Sequence, residues 1–315
     1  VCDKAIQMSL AEIAITDHFS VIEGKGSCGY MDKAKYLEDI EKHKELYDGK
    51  LIIKRGLEIC EPYLTEEKIS AEISQMNLDF ILGSVHSIDG QGMNTFAEGL
   101  DGNDLYERYF EEILLLSKSK NIDVIAHMDF IKRYAFNKCG LCDIRKNEEM
   151  LREIFKSIVA NGKGIEINTS GLRSACNEAL PGIDMLKLYK ECGGEIITCG
   201  SDAHFTKDVG FHIKESYQLL KDLGYKYTYP NGESLIDCYE RVSKGIEFIL
   251  NETPEDNTIL ICSHAGTIRN ILTYLISNTF EYHWNFKIDN ASVSIVEVDN
   301  GFAVINKLND TSFLK

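Results

Sequence analysis

The amino-acid sequence predicts an α/β protein: a (β/α) barrel followed by a second α/β segment. Three observations support this fold class. Apolar strand-like runs alternate with segments of helical period through about residue 228, the pattern of a parallel sheet covered by helices. Side chains that commonly bind metals, His, Asp and Glu, follow most of those strands. From Tyr229 the pattern changes to a turn, a long helix and a buried strand.

The predicted elements follow one another in strict alternation. We expect strands at 11–16, 51–59, 79–82, 122–126, 164–168 and 195–199, with 225–228 as a seventh candidate. Helices are expected at 32–46, 66–76, 105–118, 148–160 and 183–191, with a further helix at 235–250. Strands that alternate with helices in this way fit a (β/α) barrel better than an antiparallel fold.

The composition limits the classes of function. The formal charge of −16 argues against a general nucleic-acid surface, because phosphate contacts need clustered Lys and Arg. No apolar run reaches the roughly 20 residues that span a bilayer. There is no basic-then-apolar leader, and the ten cysteines show no disulfide-framework spacing. We therefore expect a cytoplasmic protein with reduced thiols and with no membrane or nucleic-acid partner.

Residues 197–204 (ITCGSDAH) read as a buried strand that runs into a glycine turn. In an extended segment, residues i and i+2 point the same way, so Asp202 and His204 are expected to face one site. A carboxylate and an imidazole together suit a divalent metal. The alternative for this pair taken alone is that Asp202 caps the next helix and His204 is an ordinary polar neighbour.

Other predicted strands end in similar residues. His18 ends the first strand, Glu58 lies near the end of the second, and His86 and His127 follow the next two. In a barrel, all these strand ends converge on one rim. A lone histidine there is usually a hydrogen-bonded core residue, but four imidazoles with two carboxylates are costly to desolvate without a cation. This mixed set of ligands indicates Zn, Mn or Fe.

Six short motifs occur in a fixed order between residue 5 and about residue 228. They are IAITDHFS at 13–20, GLEI at 56–59, GSVH at 83–86, AHMD at 126–129, EINTSGLR at 166–173 and GSDAH at 200–204. In this order they resemble the histidinol-phosphate phosphatases of the polymerase and histidinol phosphatase (PHP) superfamily. The resemblance implies a metal-dependent phosphomonoester hydrolase that converts L-histidinol phosphate to L-histidinol in histidine biosynthesis.

The resemblance also implies a role for each residue of the rim. The six implied metal ligands are His18, Glu58, His86, His127, Asp202 and His204. Glu58 would bridge the first and second of three metals, and His86 and His127 would complete the protein shell of the second. Asp202 would serve the first metal, and the two remaining histidines the third.

Catalysis in this resemblance is metal-assisted hydrolysis of a small phosphorylated substrate, without a side-chain nucleophile. Asp202 or His204 could assist by proton transfer, and the sequence does not decide between them. Arg173 resembles the residue that clamps the substrate phosphate, for which its planar fork of donors is suited. The alternative for Arg173 is a solvated or capping arginine.

One family motif, the His-x-His of the first strand, occurs nowhere in the sequence. It supplies two ligands to the first metal in the family. We therefore expect fewer than three bound metals, with the first and third sites weak or empty. The sequence starts at Val1 and reaches a core-type strand within a few residues, so we expect it to begin partway through the domain.

Residues 229–315 carry a second set of motifs: NGES at 231–234, SHAGTIR at 263–269, DNASVS at 289–294 and LNDT at 308–311. They resemble the C-terminal half of the histidine phosphatase (phosphoglycerate mutase-like) superfamily, and most closely its alpha-ribazole phosphatase type. The resemblance implies that His264 contacts the transferred phosphoryl group. His264 follows a predicted buried strand at 258–262 and opens a helix, an arrangement that favours phosphate.

The Arg-His-Gly motif of that superfamily, which holds its nucleophile, is absent from the sequence. His264 alone could bind an anion, but we expect a structural or vestigial role rather than a catalytic one. Glu233 and Ser234 are expected to be turn and helix-cap residues.

The two resemblances imply an incomplete, distorted (β/α)7-type barrel followed by half of an α/β histidine-phosphatase sheet. These two partial domains, 1–228 and 229–315, meet without a linker. We favour a sequence assembled across a deletion or from neighbouring genes over a real fusion whose halves cover each other's sheet edges. The leading functional hypothesis is a histidinol-phosphatase-like enzyme. The alternative is a catalytically impaired fusion or fragment that binds metal or phosphate. A third possibility, action on nucleic acid, is disfavoured by the acidic charge.

Overall fold

The structure, a computed structural model, describes residues 1–22, 31–100, 102–223, 235–254, 257–299 and 301–314. The chain divides into two compact units, Val1–Tyr225 and Lys226–Lys315. The boundary predicted after residue 228, the seventh strand candidate at 225–228 and the NGES motif with Glu233 and Ser234 lie outside the described residues. The assignment of 1–228 and 229–315 to two domains therefore stays a prediction.

A parallel sheet of six strands forms the centre of the first unit. Its strands are β1 (Glu12–Phe19), β2 (Ile52–Cys60), β3 (Phe80–Ser84), β6 (Val124–Ile125), β7 (Gly164–Asn168) and β8 (Ile197–Gly200). They lie in the order β1-β2-β3-β6-β7-β8. Two short strands, β4 (Ser87–Ile88) and β5 (Gln91–Gly92), form a separate antiparallel hairpin. Among the described residues β1 and β8 remain edges of the sheet, so the incomplete barrel implied by the resemblance is confirmed.

Helices connect the strands of the first unit. They are α1 (Cys2–Gln7), α2 (Lys33–Leu46), α3 (Glu66–Ile73), α4 (Met93–Gly99), α5 (Gly102–Ser117), α6 (Lys132–Cys139), α7 (Ile144–Ala160), α8 (Ile183–Glu191) and α9 (Ile213–Asp222). The five helices predicted in this unit are all present. The sequence prediction missed α1, α4, α6 and α9, which are all ten residues or shorter. No helix in the described part of the chain is long and apolar enough to cross a membrane.

Helix α7 illustrates how the sequence determines these elements. Asp143 precedes it and accepts a backbone N–H from the first turn, which satisfies one of the donors that a helix start leaves unpaired. Leu151, Ile154, Phe155 and Ile158 follow at the three- and four-residue spacing of one helical face, and all four are buried. That face joins the main hydrophobic core together with α5 and α8.

The register of the parallel strands decides which side chains meet at the carboxyl edge of the sheet. His18 in β1 lies opposite Glu58 in β2, and Glu58 lies opposite Leu82 in β3. His86 comes two residues after the end of β3, and His127 comes two residues after the end of β6. Four polar side chains from neighbouring strands are therefore delivered to one end of the sheet, as the strand-end pattern predicts.

The second unit contains two α-helices, one 3-10 helix (Phe280–Asn285) and one hairpin in its described residues. The α-helices and the strands are α10 (Leu235–Glu252), α11 (Ala265–Ser277), β9 (Val293–Asp299) and β10 (Phe302–Asp310), with the two strands antiparallel. The strand predicted at 258–262 is wrong: the segment has no regular structure, and Leu260 is 94% exposed. No described strand pairs with it, and a short apolar run becomes a strand only where a neighbour satisfies its backbone.

A buried ion pair supports the segment that follows His127. Lys132 Nζ lies 2.9 Å from Asp129 Oδ2 and 2.7 Å from Glu178 Oε2, and it donates to the carbonyl of Ala179. Lys132 and Asp129 are each only 1% exposed. Removing one partner of such a pair leaves a buried charge without compensation.

We therefore expect Lys132→Met to lower the free energy of unfolding by about 3–5 kcal/mol. Lys187→Met is the matched control, because Lys187 pairs with Asp184 on the surface and an exposed pair contributes about 0–1 kcal/mol. Urea denaturation of the two variants and the wild type measures the difference. Equal losses in both variants would contradict a structural role for the Lys132 pair.

Candidate metal centre and its cavity

Glu58 is the centre of the polar cluster at the carboxyl edge of the sheet. It lies near the end of β2, where every residue from Gly56 to Cys60 is buried, and it is 7% exposed. A carboxylate that is removed from water is stable only where cations or hydrogen-bond donors surround it. The neighbouring strand ends provide those partners as three imidazoles.

One oxygen of Glu58 and two histidine nitrogens form a small triangle of possible metal ligands. His127 Nε2 lies 3.0 Å and His86 Nε2 3.3 Å from Glu58 Oε1, and the two nitrogens are 3.4 Å apart. Ligands about 2.0–2.1 Å from a tetrahedral ion are about 3.3 Å from each other. The three atoms therefore fit a single divalent metal without rearrangement, and they leave one coordination position open.

His18 contacts the other oxygen of the same carboxylate. His18 Nδ1 lies 3.5 Å from Glu58 Oε2, as expected from the register that places the two residues opposite each other. Cys60, at the end of β2, lies behind the imidazoles with its Sγ 3.4 Å from His86 Nδ1. The sequence prediction missed Cys60, although its position two residues after Glu58 puts both side chains on one face of the strand.

Burial and the neighbouring charges shift the pKa values of the groups in this cluster. Burial alone would raise the pKa of Glu58, but the hydrogen bond from His127 and the fields of three imidazoles outweigh it and hold the pKa well below its usual range. Burial lowers the pKa of His86 to about 3. Burial also opposes the charged form of His127, yet Glu58 raises the pKa of His127 overall. A metal bound at these nitrogens would displace any proton that they carry.

Glu166 is a second buried carboxylate that the sequence prediction did not include among the site residues. Its Oε2 accepts the backbone N–H of His127 at 3.2 Å and the side-chain amide of Asn168 at 3.0 Å. A Cβ on Gly200 would lie 1.9 Å from Glu166 Oε1, so this glycine leaves room for the carboxylate. Burial, with the charge of Asp202 added, raises the pKa of Glu166 to about 7.

Asp202 and His204 lie side by side, but not in an extended strand. Strand β8 ends at Gly200, and Asp202 adopts a left-handed backbone conformation with φ of 46°. His204 Nδ1 is 3.2 Å from Asp202 Oδ1. The Asp202 carboxylate also accepts a hydrogen bond from Ser170 at 3.0 Å and lies 3.5 Å from Arg133. Its contacts are therefore to the cluster, and it does not cap the following helix.

A cavity of about 540 Å³ opens above the cluster. The lining residues are His18, His86, Gly92, Met93, Asn94, Thr95, His127, Phe130, Arg133, Tyr134, Asp202 and His204. Arg133 supplies a positive charge in this wall. Its guanidinium stacks on Phe130 at 4.6 Å and hydrogen-bonds to Ser170. The sequence prediction missed Arg133, because it lies in α6, one of the helices that was not predicted.

Arg173 lies next to the same turn but is not a lining residue of the cavity. It donates to the backbone carbonyls of Ser201 at 2.8 Å and Asp202 at 3.0 Å, and its Nε lies 3.8 Å from Asp208. These contacts fix the conformation of the turn that carries Asp202. The phosphate contact expected of Arg173 stays a prediction.

His264 belongs to the second unit. It is exposed and occupies the position before α11, where its side chain makes no capping hydrogen bond. The backbone N–H groups of the first helical turn are adjacent, as the sequence predicts. The contact of His264 with a phosphoryl group stays a prediction.

Comparisons with known proteins agree with the two resemblances. The family model described as PHP domain matches residues 1–170, and that of the histidine phosphatase superfamily (branch 1) matches residues 204–311. A probable histidinol-phosphatase of Clostridium acetobutylicum is 28% identical over 223 residues, which are 68% of this chain and 83% of that protein. A histidinol-phosphatase of Lactococcus lactis subsp. lactis is 27% identical over 232 residues, or 70% and 83% of the two chains.

One solved structure is similar over most of the first unit. It is histidinol phosphate phosphatase from Lactococcus lactis subsp. lactis, in complex with Zn, L-histidinol and phosphate. The two chains have a TM-score of 0.65 and 25% sequence identity over 71% of this chain and 86% of the other. The strand-end motifs thus predicted the relatives correctly.

The raised pKa of Glu166 predicts a pH dependence of stability. The folded protein holds this proton up to pH about 7 and the unfolded chain only to about 4.5, so stability falls as the pH rises between these values. The full effect is on the order of 3 kcal/mol. In chelator-treated protein, we expect Glu166→Gln to remove this fall, whereas the exposed-site control Glu153→Gln retains it. Denaturation curves at several pH values test this, and identical profiles for both variants would contradict it.

Proposed function

This chain belongs to the PHP domain family, and on that premise we propose that it hydrolyses a small phosphomonoester, with L-histidinol phosphate as the substrate. The observation that carries the proposal is the triangle of Glu58, His86 and His127 at the base of a cavity with an arginine in its wall. The relatives named histidinol-phosphatase support the choice of substrate.

The triangle of donors is proposed to hold a divalent ion, with Zn, Mn and Fe as candidates. Two imidazole nitrogens with one carboxylate oxygen match the preferences of these metals. When bound, such an ion supplies positive charge to the phosphoryl oxygens and acidifies a water molecule. His127 and Glu58 are buried, and charge interactions are stronger where water is excluded.

Arg133 is proposed to bind the substrate phosphate. Its guanidinium lies at the cavity wall, with the guanidinium carbon over the Phe130 ring at 4.6 Å from the ring centroid. A planar fork of donors matches two oxygens of a phosphate group. Arg173 supports the same region by holding the carbonyls of Ser201 and Asp202, and it is the second candidate for a phosphate contact.

His204 and Asp202 are proposed to transfer protons during hydrolysis. Asp202 Oδ1 lies beside His204 Nδ1, which leaves His204 Nε2 directed to other partners. The His204 side chain is 62% exposed and lines the cavity, so it can exchange protons with solvent. A carboxylate that orients an imidazole is a usual arrangement for a general acid or base.

The proposed enzyme corresponds to residues 1–228, with residues 229–315 as a part of a histidine phosphatase domain. A cytoplasmic location, and the absence of nucleic-acid and membrane partners, remain predictions from the sequence. The alternative function, a catalytically impaired protein that binds metal or phosphate, is distinguished by the measurement that follows.

We expect His127→Gln to lose bound Mn²⁺ and to reduce phosphate release from histidinol phosphate by at least 100-fold, because the loss of a first ligand opens the triangle. His43→Gln is the matched control, since His43 lies on α2, where its ring contacts the carbonyl of Asp39 and stacks on Tyr47. Metal content is measured after gel filtration, and phosphate release with added Mn²⁺.

The outcomes of this assay separate the hypotheses. Phosphate release that is chelator-sensitive and lost only in His127→Gln supports the enzyme. Metal uptake without release in the wild type supports the impaired binder. Release that is unchanged in His127→Gln contradicts the metal site.

Arg133→Gln should raise KM for the phosphomonoester about 10- to 100-fold, because a hydrogen bond to a charged group contributes about 1.5–3 kcal/mol. Arg145→Gln, an exposed change on α7, should leave KM unaltered. Steady-state kinetics of both variants, with Arg173→Gln in parallel, identify the arginine that contacts phosphate. An unchanged KM in Arg133→Gln would contradict a phosphate contact by Arg133.

A further inference from the structure

We propose that His18, Cys60 and His86 form a second cation site, which takes a thiophilic divalent ion such as Zn²⁺. The site lies at Nδ1 of His86, whereas the triangle with Glu58 lies at Nε2 of the same ring. It is distinct from the triangle because it uses a thiolate and different imidazole nitrogens. The proposal does not require that the chain be a phosphatase.

The geometry of the three donors fits one metal ion. Cys60 Sγ lies 3.4 Å from His86 Nδ1 and 3.9 Å from His18 Nδ1. One donor atom of each residue lies within 4.8 Å of the others. Zinc bonds of about 2.3 Å to sulfur and about 2.0 Å to nitrogen imply sulfur–nitrogen separations of about 3.5 Å in a tetrahedral shell. The observed distances bracket this value.

The strand architecture places the three side chains together. Cys60 is the last residue of β2 and points to the same face as Glu58, two residues earlier. His18 lies on the neighbouring edge strand, opposite Glu58. The rings of His18 and His86 are 5.2 Å apart and nearly perpendicular, and both line the cavity. Cys60 itself is 3% exposed, so an ion reaches its sulfur from the cavity between the two rings.

The donor set determines the class of cation. Sulfur is a soft ligand, and one thiolate with two imidazoles favours Zn²⁺ over Mg²⁺ or Mn²⁺. Binding replaces the S–H bond of Cys60 with a sulfur–metal bond, and the released proton passes to solvent. The three protein ligands leave a fourth position of the tetrahedron for water or an anion from the cavity.

The two sites share His86. Its Nε2 lies 3.3 Å from Glu58 Oε1, whereas its Nδ1 lies 3.4 Å from Cys60 Sγ. A neutral imidazole has only one unprotonated nitrogen, so it serves one metal at a time. Occupation of the Cys60 site therefore withdraws His86 from the triangle with Glu58 and His127. A thiophilic ion at this position would compete with a harder ion in the triangle.

Cobalt(II) is the probe that tests this site, because a cobalt–thiolate bond gives an intense charge-transfer band in the near ultraviolet. We expect the band in wild-type protein and in His127→Gln, which keeps all three proposed ligands. Cys60→Ser should abolish it. Cys176→Ser is the matched control, since Cys176 is a buried cysteine of the same unit whose Sγ lies 3.5 Å from the carbonyl of Gly171.

Each result decides the proposal. Absence of the band in both wild type and His127→Gln overturns it, whether or not cobalt binds, and so does a band that persists in Cys60→Ser. If Cys60→Ser does not fold, X-ray absorption of zinc-loaded wild-type protein replaces it, and a zinc shell without sulfur overturns the site. Because these spectra do not depend on phosphate release, an inactive enzyme would leave the result interpretable.

Discussion

The buried carboxylate of Glu58 is the constraint on which the functional end of the first unit depends. It lies at the end of a strand whose neighbours are apolar, and it is removed from water by the same packing that forms the core. Such a group needs positive or hydrogen-bonding partners. His18, His86 and His127 surround it within 3.5 Å, each from a different strand end. The parallel sheet makes this possible because it delivers these ends to one place.

The same arrangement explains why this cluster suits a cation better than a permanent network of hydrogen bonds. Burial opposes the charge of Glu58, but the hydrogen bond from His127 and the fields of the imidazoles hold the pKa of Glu58 below its usual range, and burial lowers the pKa of His86 to about 3. A divalent ion bound here would be held by all three donors at once. Around it, Glu166 holds the His127 backbone and the Asp202 turn is fixed by Arg173. These outer contacts orient the ligands.

The sequence predicted the parallel sheet and the convergence of its polar strand ends, because strand–helix alternation and strand-end residues are local patterns. It could not show Arg133 or Cys60. Arg133 lies in a helix that was not predicted, and Cys60 is indistinguishable from other apolar strand residues until the fold places His86 beside it. The strand predicted at 258–262 is wrong because an apolar run forms a strand only where another strand pairs with it, and no described strand pairs with this one. Long-range pairing is the information that local periodicity lacks.

The two resemblances describe different parts of the chain, and the polar residues of the first line a cavity. His86 lies between Glu58 and Cys60, so in the two proposed sites the choice of metal would depend on this one imidazole. Diffraction from crystals soaked in Mn²⁺, collected at the manganese absorption edge, tests this account most directly. It predicts an anomalous peak within bonding distance of Glu58, His86 and His127. Crystals that show no such peak, or a peak away from these three residues, would contradict it.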